Sequence, residues 1–260
     1  MTFDTERGDD LKQQTVESEF SIQPVSETAV KVEFGKEIAP EIHYKVKALM
    51  DHLDKAPFPG FIEYVASFAS VTVFYDLCAI KKIQQLERFA DKSQPAYQFV
   101  GELLREVTGS LPVYTEGAAR VVKIPVCYGG QYGPDLEYVA ECNQLTVQEV
   151  IDVHSRGRYL VYMLGFAPGF PYLGGMSERI AAPRRQSPRL SIPAGTVGIA
   201  GKQTGVYPIE TPGGWQLIGR TPLELFCPQK NPPTLLRAGD IIEFQPISHQ
   251  EYAAYGEDGK

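Results

Sequence analysis

Gly165 to Gly175 reads GFAPGFPYLGG, Pro193 to Pro208 reads PAGTVGIAGKQTGVYP, and Thr211 to Pro222 reads TPGGWQLIGRTP. Eight prolines and eleven glycines fall between residues 165 and 222. That density is hostile to helices, because proline removes a helical hydrogen bond and glycine gives up much backbone freedom. It suits the corners, bulges and hairpins of a β-barrel. The flanks agree. Residues 158–164 and 240–247 are short apolar runs, the second following an Arg237-Ala238-Gly239 turn, and Val121 to Val126 forms an earlier strand. Between them, Pro134 opens a short helix through Cys142, and Thr146 with Glu149 fits a capping box for a helix ending near His154. Residues 116–250 are therefore predicted to form a mainly-β, closed or nearly closed barrel with two small helices inserted early.

Residues 21–115 have another character. Ala29 to Phe34 alternates with period two, and Pro40 to Lys55 places Ile42, Val46, Leu49, Met50 and Leu53 on one helical face. Pro57 to Gly60 stops that helix. Phe61–Ser67 and Val71–Asp76 read as strands, Lys81–Val107 as helix interrupted near Pro95, and Leu111–Tyr114 as a last strand. The order β-α-β-β-α-β is that of a small ferredoxin-like α+β domain. Residues 1–20 are polar and acidic without period and read as a flexible tail, and residues 251–260 read as a C-terminal tail.

The 260-residue chain carries 25 Lys+Arg against 32 Asp+Glu, a net charge of −7, which argues against nucleic acid as a partner. The charge is unevenly placed. Residues 1–60 hold seven bases and twelve acids, whereas residues 165–222 hold six bases and two acids. A basic, glycine-rich stretch in an acidic protein points to a small anionic ligand. Cys78, Cys127, Cys142 and Cys227 lie far apart with no CxxC pair, so reduced, mostly buried thiols are expected rather than disulfides or zinc. Four scattered histidines leave no metal site in view. No apolar run reaches the roughly 18 residues of a membrane helix, and no signal peptide is visible, so a cytoplasmic location is expected.

Gly195 to Lys202 resembles a P-loop but fails as one: Thr196 stands where the first glycine belongs, and Gln203 follows the lysine. HExxH, GxSxG and GxGxxG are absent. The candidate chemistry therefore rests on cations and backbone donors. Arg184 and Arg185 offer forked donors for phosphate or carboxylate, or form a solvated basic turn. Gly201, Lys202 and Gln203 either contact ligand from a loop or make a hairpin tip. Tyr207 and Trp215 either wall a pocket or fill the core. Arg220, inside a strand-like run, needs a ligand or a structural partner. His154 is a candidate catalytic base or a helix cap. The working set is His154, Arg184 and Arg220 as catalytic groups, with Arg185, Gly201, Lys202, Gln203, Tyr207 and Trp215 as binding groups.

These phrases, together with Ile124-Pro125-Val126-Cys127-Tyr128-Gly129-Gly130, Gly133-Pro134-Asp135-Leu136 and His154-Ser155, resemble the family of 5-oxoprolinase B subunits and KipI, also described as allophanate hydrolase subunit 1. The resemblance runs over about residues 25–248. Asn143 stands alone where many members have His-Asn, so no role for that imidazole carries over. The resemblance implies a ferredoxin-like domain followed by a cyclophilin-like barrel. It also implies two partner proteins, the C-type subunit (itself cyclophilin-like) and the A-type subunit, and a role in ATP-dependent opening of 5-oxo-L-proline to L-glutamate. The KipI branch implies instead an inhibitor of a sporulation histidine kinase. Positioning and positive charge, rather than a covalent nucleophile, are what phosphoryl transfer asks of such a surface.

Overall fold

The computed structural model describes residues 20–86, 93–111 and 119–255. The expected tail over residues 1–19, most of the Leu111–Tyr114 strand and the end of the expected C-terminal tail lie outside those residues.

The N-terminal half is an antiparallel sheet of β1 (Ser21–Ser26), β2 (Ala29–Glu33), β3 (Phe61–Ala66) and β4 (Ser70–Tyr75), in the order β1-β2-β4-β3. Helices α1 (Pro40–Lys55), α2 (Leu77–Leu86) and α3 (Ala96–Gly109) complete it. Val30, Val32, Val71 and Val73 from the strands pack with Val46, Leu49 and Leu53 of α1 and Phe99, Val100 and Leu104 of α3. Each such fully buried side chain contributes about 1.5–3 kcal/mol. The described order is β-β-α-β-β-α-α, which adds the strand β1 before the expected β-α-β-β-α-β, while the closing strand of that expectation lies almost wholly outside the described residues. Strand β1 lies at the sheet edge and is mostly exposed, so it can be polar and can hold Pro24, which hides it from a periodicity reading.

The second half contains β5 (Val121–Tyr128), α4 (Leu136–Cys142), α5 (Val147–Ser155), β6 (Tyr159–Leu164), β7 (Pro171–Gly174), β8 (Arg189–Ile192), β9 (Thr196–Ala200), β10 (Gln203–Val206), β11 (Thr211–Gly213), β12 (Gln216–Arg220), β13 (Ile241–Pro246) and α6 (His249–Ala254). Seven strands form one sheet in the order β10-β9-β12-β5-β13-β6-β7. The terminal strands β10 and β7 lie against each other, which brings the sheet nearly to closure. The sheet is mixed, because β13 runs parallel to β5 while the other pairs are antiparallel. Strands β8 and β11 pair separately as a two-stranded flap. The predicted capping box at Thr146 and Glu149 is present.

Two further expectations change. Residues 249–254, which overlap the expected C-terminal tail, form the helix α6 with its own capping box of Ser248 and Glu251. Of the four free cysteines, only Cys127 is buried; Cys78 and Cys142 are exposed. The two halves meet where Phe68 and His43 pack on Tyr162, with ring centroids 5.4 Å and 5.0 Å away. No helix among the described residues is long and apolar enough to cross a membrane.

Candidate functional site

The nine sequence-selected residues fall into three places. His154 occupies the barrel interior. It is fully buried and stacks on Phe244 at 4.6 Å. Its Nδ1 lies 2.7 Å from the Tyr128 hydroxyl and its Nε2 2.9 Å from Thr204 Oγ1. Burial pushes its pKa down to about 3, so the ring is neutral. With both nitrogens engaged and no exposed surface, it sits in this structure as a core side chain, with no ring nitrogen left open to a ligand. A helix-terminal histidine looks the same in sequence whether that helix end faces water or the core.

A second group gathers at one end of the barrel, beneath and beside the flap. Asp135 organises it. This carboxylate sits at the N-cap position of α4 but makes no capping bond. It turns instead toward β12, where Oδ2 accepts from the Leu217 amide at 2.7 Å, while Oδ1 accepts from Arg189 Nη2 at 2.8 Å and Arg185 Nη1 at 3.3 Å. The Asp135 side chain is 8% exposed. A buried carboxylate with two guanidinium groups and a backbone amide is a satisfied charge. Arg184 has no carboxylate partner among the described residues and stands exposed on the same segment.

Beneath the arginines lies an aromatic cluster. Phe170 meets Tyr207 and Trp215 edge to face, both at 5.7 Å, within a small core of Ala167, Ile192 and Leu217. Tyr207 is buried, and that burial raises its pKa to about 12. It lies beneath the flap, against Ile192 and Gly213. Gly213 lies so close to it that a Cβ there would sit 2.5 Å from the Tyr207 hydroxyl.

The Gly201–Gln203 turn joins this end, because Ala182 and Gly201 exchange both backbone hydrogen bonds two residues from Arg184. Gly201 has φ +59, and nothing lies within 4 Å of an added Cβ, as for an open hairpin tip. Lys202 pairs with Glu178 at 2.7 Å, both side chains about two-thirds exposed, which is a solvated contact of little energetic weight. The preceding Gly165–Gly175 segment turns β6 into β7 and presents Phe166 70% exposed at φ +66, a strained conformation for an aromatic residue.

Arg220 is elsewhere. It ends β12 while Trp215 precedes the same strand, so the two lie roughly 16 Å apart along it at 3.3 Å per residue. Arg220 Nε donates to the Ala194 carbonyl at 2.8 Å. The residue lines a surface cleft of about 460 Å³ that also includes Pro208, Glu210, Thr221, Phe226 and Tyr252. Gly195, with φ +80, permits this close backbone crossing: a Cβ there would fall 2.4 Å from the Thr221 carbonyl oxygen. Asp135 and Tyr252 were not selected from the sequence. The first reads as an ordinary N-cap, and the second lay in a supposed tail.

Among the described residues no group of three His, Cys, Asp or Glu side chains converges on a metal position. The structure thus offers a basic, aromatic-backed group beside the Trp215 end of β12 and, past the Ile192–Thr211 end of the flap, a charged cleft around Arg220. Residues 20–236 match the family described as the carboxyltransferase domain, subdomain C and D. The chain belongs to that family. Among carboxyltransferase-domain relatives, it is 54% identical over 239 residues to the 5-oxoprolinase B subunit of Bacillus subtilis (strain 168), covering 92% of this chain and 98% of that one. It is 39% identical over 225 residues to the 5-oxoprolinase B subunit of Escherichia coli O157:H7, covering 85% and 94%. Among solved structures, TTHA0988 superposes with a TM-score of 0.69 at 34% identity over 85% of this chain, which spans 40% of the TTHA0988 chain.

Proposed function

We propose that this chain is the B component of an ATP-dependent 5-oxoprolinase, converting 5-oxo-L-proline to L-glutamate together with partners of the C and A types. The observation that carries the reading is near-complete coverage at 54% identity of a relative named for that role. The longer TTHA0988 chain, in which this region is a part, supports a partner polypeptide beside it. In this reading the barrel is cyclophilin-like, the N-terminal unit is a ferredoxin-like variant with β1 added beside β2, and the two divide near residue 115.

Opening a lactam against its thermodynamic preference calls for activation by ATP, and the demand on the protein is positioning and positive charge. In this reading Arg184, in the loop before the flap, is the arginine available to meet an anionic group, because Arg185 and Arg189 hold Asp135. On the same reading Arg185, Gly201, Lys202, Gln203 and Trp215 contribute binding groups on the same side, and ATP is a co-substrate of the assembled complex. The test is co-expression with the two partners and assay of glutamate release dependent on both ATP and 5-oxoproline. The complete complex turns over, and Arg184→Ala lowers kcat/KM by about tenfold or more, the loss of a charge-assisted contact. A folded, complete complex without turnover overturns the reading, and inhibition of histidine-kinase autophosphorylation in its place would favour the KipI-type role.

A further inference from the structure

The cleft at the Arg220 end holds opposite charges that do not meet. Arg220 is pinned through Nε to the Ala194 carbonyl, which fixes the guanidinium plane, yet its terminal nitrogens have no carboxylate partner among the described residues. Glu210 lines the same cleft and is likewise unpaired among them. The second carboxylate in the cleft, Glu224, pairs with Lys230 at 3.2 Å rather than with Arg220. A guanidinium and a carboxylate that share a cleft without closing on each other leave a gap suited to a molecule bearing both complementary charges.

One wall of that gap is aromatic and fixed. Tyr252 enters it from α6, packed on Tyr132 with ring centroids 4.3 Å apart and the rings tilted by 35°. The Ser248–Glu251 capping box holds the first turn of the helix, and the Ile247 amide bonds the Val126 carbonyl of β5, anchoring the segment to the barrel. Phe226 and Pro208 add apolar surface, and the volume of about 460 Å³ falls in the range of small-molecule sites.

We infer that this cleft binds a small carboxylic acid with a nitrogen donor on its α-carbon, an α-amino or α-amido acid. The forked Arg220 takes the carboxylate, Glu210 accepts from the nitrogen, and Tyr252 packs against the carbon skeleton. The inference deepens the reading above and rests on it for the identity of the ligand, because a cyclic amide acid and its amino-acid product share this pattern.

The experiment is an NMR titration of the full chain with L-glutamate, 5-oxo-L-proline and glutarate, which lacks the nitrogen. Either of the first two shifts the Arg220 Nε–H and the Gly195 and Thr221 amides, and glutarate binds at least fivefold more weakly. Arg220→Lys, which keeps the charge and loses the fork, weakens binding about tenfold. Glu210→Gln, at an exposed position that leaves the fold intact, erases the preference over glutarate. Unmoved cleft signals, equal binding of glutarate, or wild-type affinity in both variants overturns the inference. Cleft binding without turnover by the complete complex removes the enzymatic reading and leaves the site standing. Turnover with no shift in the cleft removes the site and leaves the enzyme standing.

Discussion

Replacing Asp135 tests whether one buried carboxylate holds the flap to the barrel. In Asp135→Ala the Leu217 amide, bonded at 2.7 Å in a buried position, loses its side-chain acceptor. An orphaned buried donor costs about 1–3 kcal/mol. Arg185 and Arg189 lose their shared partner too, but their side chains are 37% and 24% exposed, so water screens them and each loss is limited to about 0–1 kcal/mol. The sum is about 1–5 kcal/mol, centred near 3, which for a chain of this size lowers Tm by about 6–12 °C at the centre of that range. Asp135→Asn keeps one acceptor for the amide and discards the charge, so about 1 kcal/mol and 2–4 °C are expected. Circular dichroism melts of the two variants, with Arg189→Met and the double variant completing a thermodynamic cycle, measure these terms. If Asp135→Ala melts within about 2 °C of the parent, or if its effect adds to that of Arg189→Met without coupling, the carboxylate does not anchor the flap.

The remaining predictions concern the acid limb and the glycines. Burial pushes the pKa of His43 down to about 4 from its ordinary 6.5, and neither ring nitrogen has a hydrogen-bond partner. The unfolded chain takes up that proton first, so stability falls as pH drops from about 6.5 towards about 4. His43→Leu should therefore stabilise the protein by about 2 kcal/mol more at pH 5 than at pH 7 in urea titrations, and an equal effect at both pH values would refute the assignment. Gly133→Ala would place a Cβ 2.1 Å from the Ile218 carbonyl oxygen, so it should abolish soluble folded protein or lower Tm steeply. Gly201→Ala meets nothing and should cost only the left-handed conformation, about 1–2 kcal/mol by thermal melt.

Much of the barrel was legible because its signals are local: the capping box at Thr146, the strand at Val121 and the proline-glycine punctuation each act over a few residues. What stayed hidden depends on partners distant in sequence. Nothing near Asp135 announces that its carboxylate serves Leu217, 82 residues later, instead of its own helix. His154 reads as a helix terminus, and only the packing of Phe244 and Thr204 around it reveals a core residue. β1 escaped because an edge strand needs no apolar alternation, and α6 because six residues give no period to detect. The arginines at 184, 185 and 220 were all visible as charges. That two of them lie beside the start of β12, where the Arg185 amide bonds the Gly214 carbonyl, while Arg220 ends that strand opposite Thr196, emerges only from the fold.

The position of β13 bears on how the molecule is made. It is the last strand in sequence among the described residues, yet it sits in the interior of the seven-stranded sheet, parallel to β5 on one side and antiparallel to β6 on the other. Until residues 241–246 emerge, β10-β9-β12-β5 and β6-β7 are two separate sheets, each with a bare edge where β13 will lie. The N-terminal half makes its contacts early and locally, whereas the barrel waits on pairings about 120 residues apart in sequence, between Ile241 and Val121. Such long-range closure is slow and leaves strand edges open to other chains. A chain cut before residue 241 should accumulate as an aggregation-prone intermediate, and a nascent one is exposed to the same hazard during synthesis.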